Sequence, residues 1–276
     1  MDVLPQSMSI PAGDIILSGD RWTVDGAKGT VLLLHGGGQT RHSWARTARR
    51  LGEARWNVAS VDMRGHGDSG WSPDGKYAFD SLVSDVVTVA STFDEPPVLV
   101  GSSIGGAAAL VAQGEQNVGR AMVLVDIALK VEPGGVVRVM EFMTSAPDGF
   151  LSLEEAVRVV RAYNPHRKRP PSVAGMRKNL RQGTDGRWRW HWDPNFLQIG
   201  GHLDPLRLSA AASAHPVPTL LIRGQNSDVV SETGMHELLE YMPHARHVEV
   251  SGAAHIISGD DNDIMMSCLV GFLDEL

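Results

Sequence analysis

The sequence predicts an α/β fold, a doubly wound and mostly parallel sheet with helices on both faces. Three observations favour this fold class. Short apolar runs such as 31–34 and 98–100 have the composition of strands that are buried on both faces. Amphipathic helical patterns such as 80–93 alternate with these runs along the chain. Polar or glycine-rich turns follow the strands, at the edge where parallel sheets place their sites.

The first part of the chain supplies the opening elements of this sheet. Residues 14–24 are expected to form a hairpin that is divided at Gly19 and Asp20. The elements that follow are, in order, strand 31–34, helix 43–54, strand 58–61, helix 80–93, strand 98–100, a helix after residue 103 and strand 121–125.

Between residues 127 and 216 the alternation of strand and helix stops. Helical patterns cover 134–146, 152–163 and 171–182, and basic side chains are frequent there. Alternation then resumes with strand 219–223, helix 231–242, strand 246–250 and helix 262–275. We therefore predict a core made of residues 1–126 and 217–276, with a helical cap, residues 127–216, inserted over the carboxyl edge of its sheet.

Composition excludes several classes of function. A net charge of −7 argues against a general nucleic-acid binder, and the single cysteine, Cys268, excludes a disulfide framework. The chain shows neither a secretory leader pattern nor an apolar run long enough to span a membrane, so a cytoplasmic location is expected. The glycines at 36–38 lack the lysine of a phosphate-binding loop, which argues against a nucleotide cofactor.

A pentapeptide at the centre of the chain carries the first chemical signal. Gly101-Ser102-Ser103-Ile104-Gly105 fits Gly-x-Ser-x-Gly and lies between a buried strand and an apolar helical run. In that context the glycines permit a sharp turn that lifts the Ser103 hydroxyl above the sheet. The first amides of the helix are then suited to binding an oxyanion.

A serine nucleophile needs a histidine base, and that histidine needs an acid. His255 follows strand 246–250 and Asp228 follows strand 219–223, so both lie at the same edge as Ser103. Ser103, Asp228 and His255 occur in the chain order that accompanies this type of turn. They form the predicted catalytic triad.

Taken together, the motifs resemble those of the α/β-hydrolase fold over nearly the whole chain. They are Leu-His-Gly-Gly-Gly at 34–38, Asp-Met-Arg-Gly-His-Gly-Asp-Ser at 62–69, the serine pentapeptide, Gly-Gln-Asn-Ser-Asp-Val-Val at 224–230 and Gly-Ala-Ala-His at 252–255. The resemblance implies an oxyanion hole made by the backbone N–H groups of Gly37 and Ile104. It also implies that Asp126, at the end of strand 121–125, is the alternative acid, and that His35 and His66 have structural roles.

The resemblance implies a serine hydrolase without a cofactor or metal, most simply a carboxylesterase acting on a small-molecule ester. Carbon–carbon bond hydrolysis, lactone opening and perhydrolysis could use the same triad. A slow-turnover ligand-binding or receptor protein on the same fold is the alternative from another class. The predicted cap offers pocket-lining candidates, which together with Gly38 are Met140, Met143, Trp188, Trp190 and Trp192. The tryptophans could equally anchor the cap to the core.

Overall fold

A computed structural model describes residues 4–165, 171–199, 203–255 and 263–276. Its strands are β1 (Gln6–Ala12), β2 (Ile15–Trp22), β3 (Thr30–Leu34), β4 (Asn57–Val61), β5 (Val98–Ser102), β6 (Ala121–Val125), β7 (Leu180–Gln182), β8 (Trp188–Trp190), β9 (Thr219–Gly224) and β10 (Arg246–Val250). Its α-helices are α1 (Ala45–Glu53), α2 (Phe79–Ala90), α3 (Ile104–Gln116), α4 (Pro133–Met143), α5 (Leu153–Tyr163), α6 (Val173–Asn179), α7 (Pro205–Ser213), α8 (Glu232–Tyr241) and α9 (Asp263–Asp274). The first residue of the predicted helix 262–275 lies outside the described residues.

Eight strands form one sheet in the order β1-β2-β4-β3-β5-β6-β9-β10. The pairs β1–β2 and β2–β4 are antiparallel, and every other neighbouring pair in this sheet is parallel. The carboxyl ends of β3 to β6, β9 and β10 therefore meet at one edge. This arrangement confirms the predicted mostly parallel sheet.

Helices cover both faces of the sheet because alternate strand residues point to opposite sides. Leu32 and Leu34 of β3 belong to a core shared with α2, α3, α7 and α8. Val31 and Leu33 belong to a second core shared with α1 and α9. Each fully buried leucine contributes roughly 1.5–3 kcal/mol of transfer free energy, so the continuous apolar strands stabilise both layers.

The opening hairpin differs from the sequence prediction. Its turn lies at Gly13 and Asp14, where Gly13 has a φ of +65°, and β2 runs through Gly19 and Asp20 without a break. Gly19 pairs with Val61 of β4, and a Cβ at Gly19 would lie 2.9 Å from the carbonyl oxygen of Ser60. The glycine thus permits close strand approach instead of a turn.

The region between β6 and β9 is only partly the predicted helical insertion. Helices α5 and α6 share a small core of their own with β7, in which the buried residues are Phe150, Leu153, Ala156, Met176 and Leu180. Residues 180–182, expected to be helical, instead form β7, which pairs with β8 in an antiparallel hairpin. The alternating tryptophans of β8 favour extended backbone, and that preference overrides the helical pattern of residues 180–182.

Helix α7, which lies inside the predicted cap, packs as part of the main core. Leu208, Ala211 and Ala212 contribute to the same apolar layer as α3. A Cβ at Gly114 of α3 would overlap the backbone of Ala211, so the two helices approach closely because Gly114 has no side chain. Among the described residues no helix is long and apolar enough to cross a membrane.

Candidate active site

Ser103 occupies a strained turn between β5 and α3. Its φ and ψ are 50° and −127°, a conformation that non-glycine residues rarely adopt and that costs on the order of 1–3 kcal/mol. The Ser103 N–H donates to the carbonyl oxygen of Val125 at 3.0 Å. A Cβ at Gly105 would overlap the carbonyl oxygen of His35, and one at Gly101 would overlap the backbone of Gly106. The glycines of the pentapeptide are therefore required by close backbone packing around the serine.

His255 follows β10 and lies between the serine and a carboxylate. Its Nε2 is 3.2 Å from Ser103 Oγ, and its Nδ1 is 2.6 Å from Asp126 Oδ2. The His255 side chain is 9% exposed and that of Asp126 is fully buried. The structure thus brings together Ser103 and His255, as expected, with Asp126 as the acid partner of the histidine.

Among the described residues, three donors form hydrogen bonds to the Asp126 carboxylate. Besides the His255 ring, the Ser227 hydroxyl donates to Oδ2 at 2.5 Å and the Gly224 N–H donates to Oδ1 at 3.0 Å. Asp126 itself has a φ of +54° immediately after β6, which turns its side chain away from the strand direction. Two neighbouring turns therefore fix the carboxylate on both oxygens.

The predicted position of Asp228 beside His255 is wrong. Its carboxylate forms an ion pair with Arg138 of α4 at 2.8 Å, and its side chain is 31% exposed. The turn after β9 is closed by the Ser227 hydroxyl, which accepts from the N–H groups of Val229 and Val230. That turn directs Ser227, not Asp228, toward Asp126.

Helix α4 holds Asp228 from the opposite side. A Cβ at Gly135 would overlap the Asp228 carbonyl oxygen, so the helix lies directly against this turn. The Glu132 N–H, just before α4, donates to the carbonyl oxygen of Val229 at 2.8 Å. The side chain of Asp228 is consequently turned to α4 and away from the histidine.

The loop after β3 lies next to the serine. A Cβ at Gly36 would be 3.4 Å from Ser103 Cβ, and one at Gly37 would be 3.9 Å from Ile104 Cγ2. The Gly38 N–H donates to His66 Nε2 at 3.1 Å and is therefore occupied. Gly37 and Ile104, the predicted oxyanion donors, lie side by side, and Ile104 provides the first amide of α3.

His35 and His66 support this loop through the backbone. His35 interacts with the Gly36 carbonyl oxygen through Nδ1 at 2.8 Å and with the Met63 N–H through Nε2 at 2.9 Å. His66 Nδ1 is 3.1 Å from the Arg64 carbonyl oxygen. Both ring nitrogens of each histidine are engaged, which leaves neither ring a free nitrogen for a metal.

Burial keeps both of these rings uncharged. It lowers the pKa of His35 to about 4, although the Gly36 bond acts in the opposite direction. It lowers the pKa of His66 to about 3, with a smaller contribution from the nearby His35. A neutral His66 can accept from the Gly38 N–H through Nε2, whereas an imidazolium could not.

The pocket-lining candidates fall into two groups. Met143 is buried against Gly38, where a Cβ would lie 3.1 Å from Met143 Cε, whereas Met140 is 37% exposed. Trp190 and Trp192 stack with ring centroids 4.8 Å apart, and Trp188 lies under the Arg177 guanidinium. The structure thus places Met143 beside the loop after β3, stacks Trp190 on Trp192 and sets Trp188 beside Arg177 of α6.

Two residues of the site are not predicted by the sequence. Ser227 is adjacent to the predicted acid, but a serine in a polar turn has many ordinary roles and gives no distinctive signal. Phe196 packs edge-on to His66 at 4.4 Å and lies 4.0 Å from where a Gly37 Cβ would be. It belongs to a short 3-10 helix, Pro194–Gln198, whose contact with the oxyanion loop depends on the tertiary fold.

Comparison with known proteins identifies the family to which this fold belongs. A family profile described as the alpha/beta hydrolase fold matches residues 29–261. The chain belongs to this family. The predictions of an α/β-hydrolase fold and of a hydrolase enzyme are therefore confirmed.

Relatives and solved structures extend the match to nearly the full length. Esterase Rv0045c from Mycobacterium tuberculosis is 31% identical, with 98% of this chain and 90% of the relative covered. The mouse sn-1-specific diacylglycerol lipase ABHD11 is 28% identical, with 98% and 85% covered. An α/β hydrolase structure from Novosphingobium aromaticivorans superposes with a TM-score of 0.83 at 21% identity, covering 99% of each chain.

Proposed function

We propose that this protein hydrolyses carboxylic esters of small molecules through an acyl-enzyme, with Ser103, His255 and Asp126 as the triad. The observation that carries the proposal is the continuous path from Ser103 Oγ through the His255 ring to Asp126 Oδ2. The names of the relatives, an esterase and a lipase, support ester chemistry over other uses of the fold.

In the first half-reaction His255 Nε2 takes the Ser103 proton as Oγ attacks the ester carbonyl carbon. Negative charge develops on the carbonyl oxygen, and the N–H groups of Gly37 and Ile104 donate to it. The tetrahedral intermediate collapses, the bond to the alcohol oxygen breaks, and His255 Nε2–H protonates the leaving alcohol.

In the second half-reaction water replaces the alcohol. His255 removes a proton from that water, which attacks the acyl carbon, and the Ser103 oxygen leaves and regains its proton from the histidine. Throughout, Asp126 accepts the hydrogen bond from His255 Nδ1–H and stabilises the imidazolium that forms twice in each turnover. Each of these steps uses only side chains and backbone N–H groups of this chain, with the ester and water as reactants.

The segment from residue 127 to β8 is proposed as the cap over this site. Met143 touches the oxyanion loop at Gly38, and Gly135 touches the turn after β9, so α4 links two turns that border Ser103. Met143 is accordingly the favoured contact for the acyl group among the predicted pocket residues, while Met140 and Trp190 would contribute from farther out.

The test is turnover of p-nitrophenyl esters of increasing acyl length by the wild type and by Ser103→Ala. Multiple turnovers are expected for the wild type, with a loss of about 10⁴-fold or more in kcat for the variant, because the nucleophile is removed while binding residues stay.

Ser102→Ala provides a matched control, since the neighbouring hydroxyl is buried in β5 and has no part in the proposed chemistry. Equal activity of Ser103→Ala and wild type would refute the proposed nucleophile. A single burst without further turnover in the wild type would instead favour a slow binding protein.

A further inference from the structure

A cleft that contains none of the proposed catalytic residues lies beside the turn after β4. It encloses about 110 Å³ between the residues preceding α1, the turn at Gly67 and Asp68, and the end of α6. Its arginine, lysine and histidine side chains, which we call the basic cleft, are Arg41, His42, Arg177, Lys178, Arg181 and His191. None of these residues takes part in the proposed hydrolysis.

Part of the positive charge in the basic cleft is already neutralised. Arg41 pairs with Asp20 at 3.0 Å, with Asp68 at 2.9 Å and with the buried Asp62. Arg181 pairs with Asp68 and donates through Nε to His191 Nε2 at 2.7 Å. Although burial alone would raise the pKa of Asp68, the Arg41 hydrogen bond and the charges of both arginines hold it below its usual value.

Two cations in the basic cleft are not neutralised in this way. Arg177 lies over the Trp188 ring at 5.3 Å, and neither it nor Lys178 forms an ion pair with a carboxylate in the described part of the chain. They are adjacent in the last turn of α6. A helix C-terminus favours positive charge there, but two adjacent cations at the wall of a cleft also attract an anion.

The two histidines respond to the same positive field. Burial, followed by the charge of Arg181, lowers the pKa of His191 to about 4. Burial and then the charge of Arg41 lower the pKa of His42, with Lys178 acting in the same direction. Because the Arg181 Nε–H must donate to His191 Nε2, the proton of that neutral ring resides on Nδ1, which makes it a donor.

We propose that the basic cleft binds a phosphate group. Lys178 and Arg177 supply its principal charge-assisted contacts, and Arg181 lines the cleft beside them. Guanidinium and ammonium groups together match a tetrahedral oxyanion, and a volume of about 110 Å³ is several times the roughly 10–15 Å³ that a single water requires. The cleft is therefore large enough for a phosphate group.

The first experiment measures thermal unfolding of the full chain in increasing inorganic phosphate, with sodium chloride adjusted to constant ionic strength. Binding to the folded state is expected to raise Tm with a saturable dependence, which yields a Kd. Isothermal titration calorimetry with inorganic phosphate provides a second value. In Lys178→Gln and in the double variant Arg177→Gln/Lys178→Gln, we expect Kd to rise at least tenfold.

Arg158→Gln is the matched control, since Arg158 is an exposed cation on α5 of the same insertion and lies outside the basic cleft. It should retain the wild-type Kd. Lys178 and Arg177 are also exposed, so the variants are expected to fold with nearly unchanged Tm in chloride. A wild-type Tm that responds equally to phosphate and chloride would overturn the proposal, as would a wild-type Kd in the double variant.

A parallel titration with phenyl phosphate distinguishes the source of the group. Tighter binding than inorganic phosphate would assign the cleft to a phosphate monoester, and weaker binding would assign it to the free ion. In both cases the dependence on Lys178 must hold. Ester hydrolysis does not enter these measurements, so failure of the proposed hydrolase activity and failure of this proposal can be told apart.

Discussion

Two turns at the carboxyl end of the sheet each present an aspartate, one after β6 and one after β9. Asp126 is buried, and three donors of the protein point to its oxygens. Asp228 is partly exposed and pairs with Arg138, whose side chain is 55% exposed. An exposed ion pair contributes about 0–1 kcal/mol, whereas a buried carboxylate with a full set of donors is rigidly oriented.

The position of an acid in a strand–turn pattern therefore does not decide which carboxylate contacts the histidine. Both turns lie at the carboxyl edge of the sheet. The two carboxylates are distinguished by the hydrogen bonds that the turns make with each other. Ser227 is decisive because its hydroxyl closes one turn and donates to the aspartate of the other. Substitutions in both turns test which aspartate supports His255.

The largest effect is expected for Asp126→Asn. The amide keeps the shape of the side chain but cannot hold His255 in the tautomer that the base requires, so kcat should fall by about 10³–10⁴-fold. Ester turnover of purified variants measures this loss. Asp228→Asn is the comparison variant, and a larger loss for it than for Asp126→Asn would reverse the assignment of the acid.

The loop after β3 and the turn after β4 extend the contrast to two buried histidines whose ring nitrogens bond to backbone. His35 and His66 have folded-state pKa values of about 4 and about 3, below the ordinary value of 6.5. At pH values between the folded-state pKa of a ring and 6.5, the unfolded chain binds more protons than the folded one. The free energy of unfolding therefore decreases as the pH falls below about 6.5. Once the pH reaches the folded-state pKa of the ring, the stability lost should be about 3 kcal/mol for His35 and about 4 kcal/mol for His66.

Urea unfolding at several pH values between 7.5 and 4.5 measures that loss. In His66→Gln the slope of the unfolding free energy against pH should decrease, even though the variant starts from a lower stability. His247→Gln, which removes an exposed ring, should leave the slope unchanged. An identical slope in wild type and His66→Gln would contradict the buried neutral state of His66.

A smaller effect is expected for Ser227→Ala. The change removes one of three donors to Asp126 and one closure of the turn after β9, so kcat should fall about tenfold with KM little altered. Ser227→Thr keeps a hydroxyl and should restore most of the activity. If the threonine variant were as slow as the alanine variant, the effect would reflect local unfolding instead of carboxylate positioning.

The smallest effects belong to the Asp228–Arg138 pair. Asp228→Asn and Arg138→Gln should each change kcat by less than about threefold, and their coupling in a double-mutant cycle of unfolding free energies should be below about 1 kcal/mol. The coupling should weaken further as salt is added. A coupling of several kcal/mol that persists in high salt would place this pair among the stabilising contacts of the fold.

Much of the fold follows from local pattern. The continuous apolar runs predict the parallel strands, and strand 246–250 coincides with β10. Ser103 and His255 also follow from sequence, because the glycines around the serine encode a close backbone approach and the histidine ends a strand. These features depend on residues that are neighbours in the chain or on the shared edge of a parallel sheet.

The remainder depends on contacts that no local pattern records. The choice of Asp126 follows from the backbone turn at that residue and from the Ser227 hydroxyl, about a hundred positions away. The hairpin of β7 and β8 replaces part of a predicted helix because residues 180–182 pair with β8 as an antiparallel strand. Likewise α7 joins the main core through a single missing side chain, at Gly114 of α3.

The contact between Gly135 and the Asp228 carbonyl has a consequence for engineering. Since α4 rests on the sheet edge by backbone at one end and by Met143 at the other, its two ends can be altered separately. Changing Met143 would alter the contact with Gly38 in the loop after β3, while Gly135 would still rest against the Asp228 carbonyl. Adding even a methyl group at Gly135 would force α4 and the turn after β9 apart, because the new Cβ would overlap the Asp228 backbone.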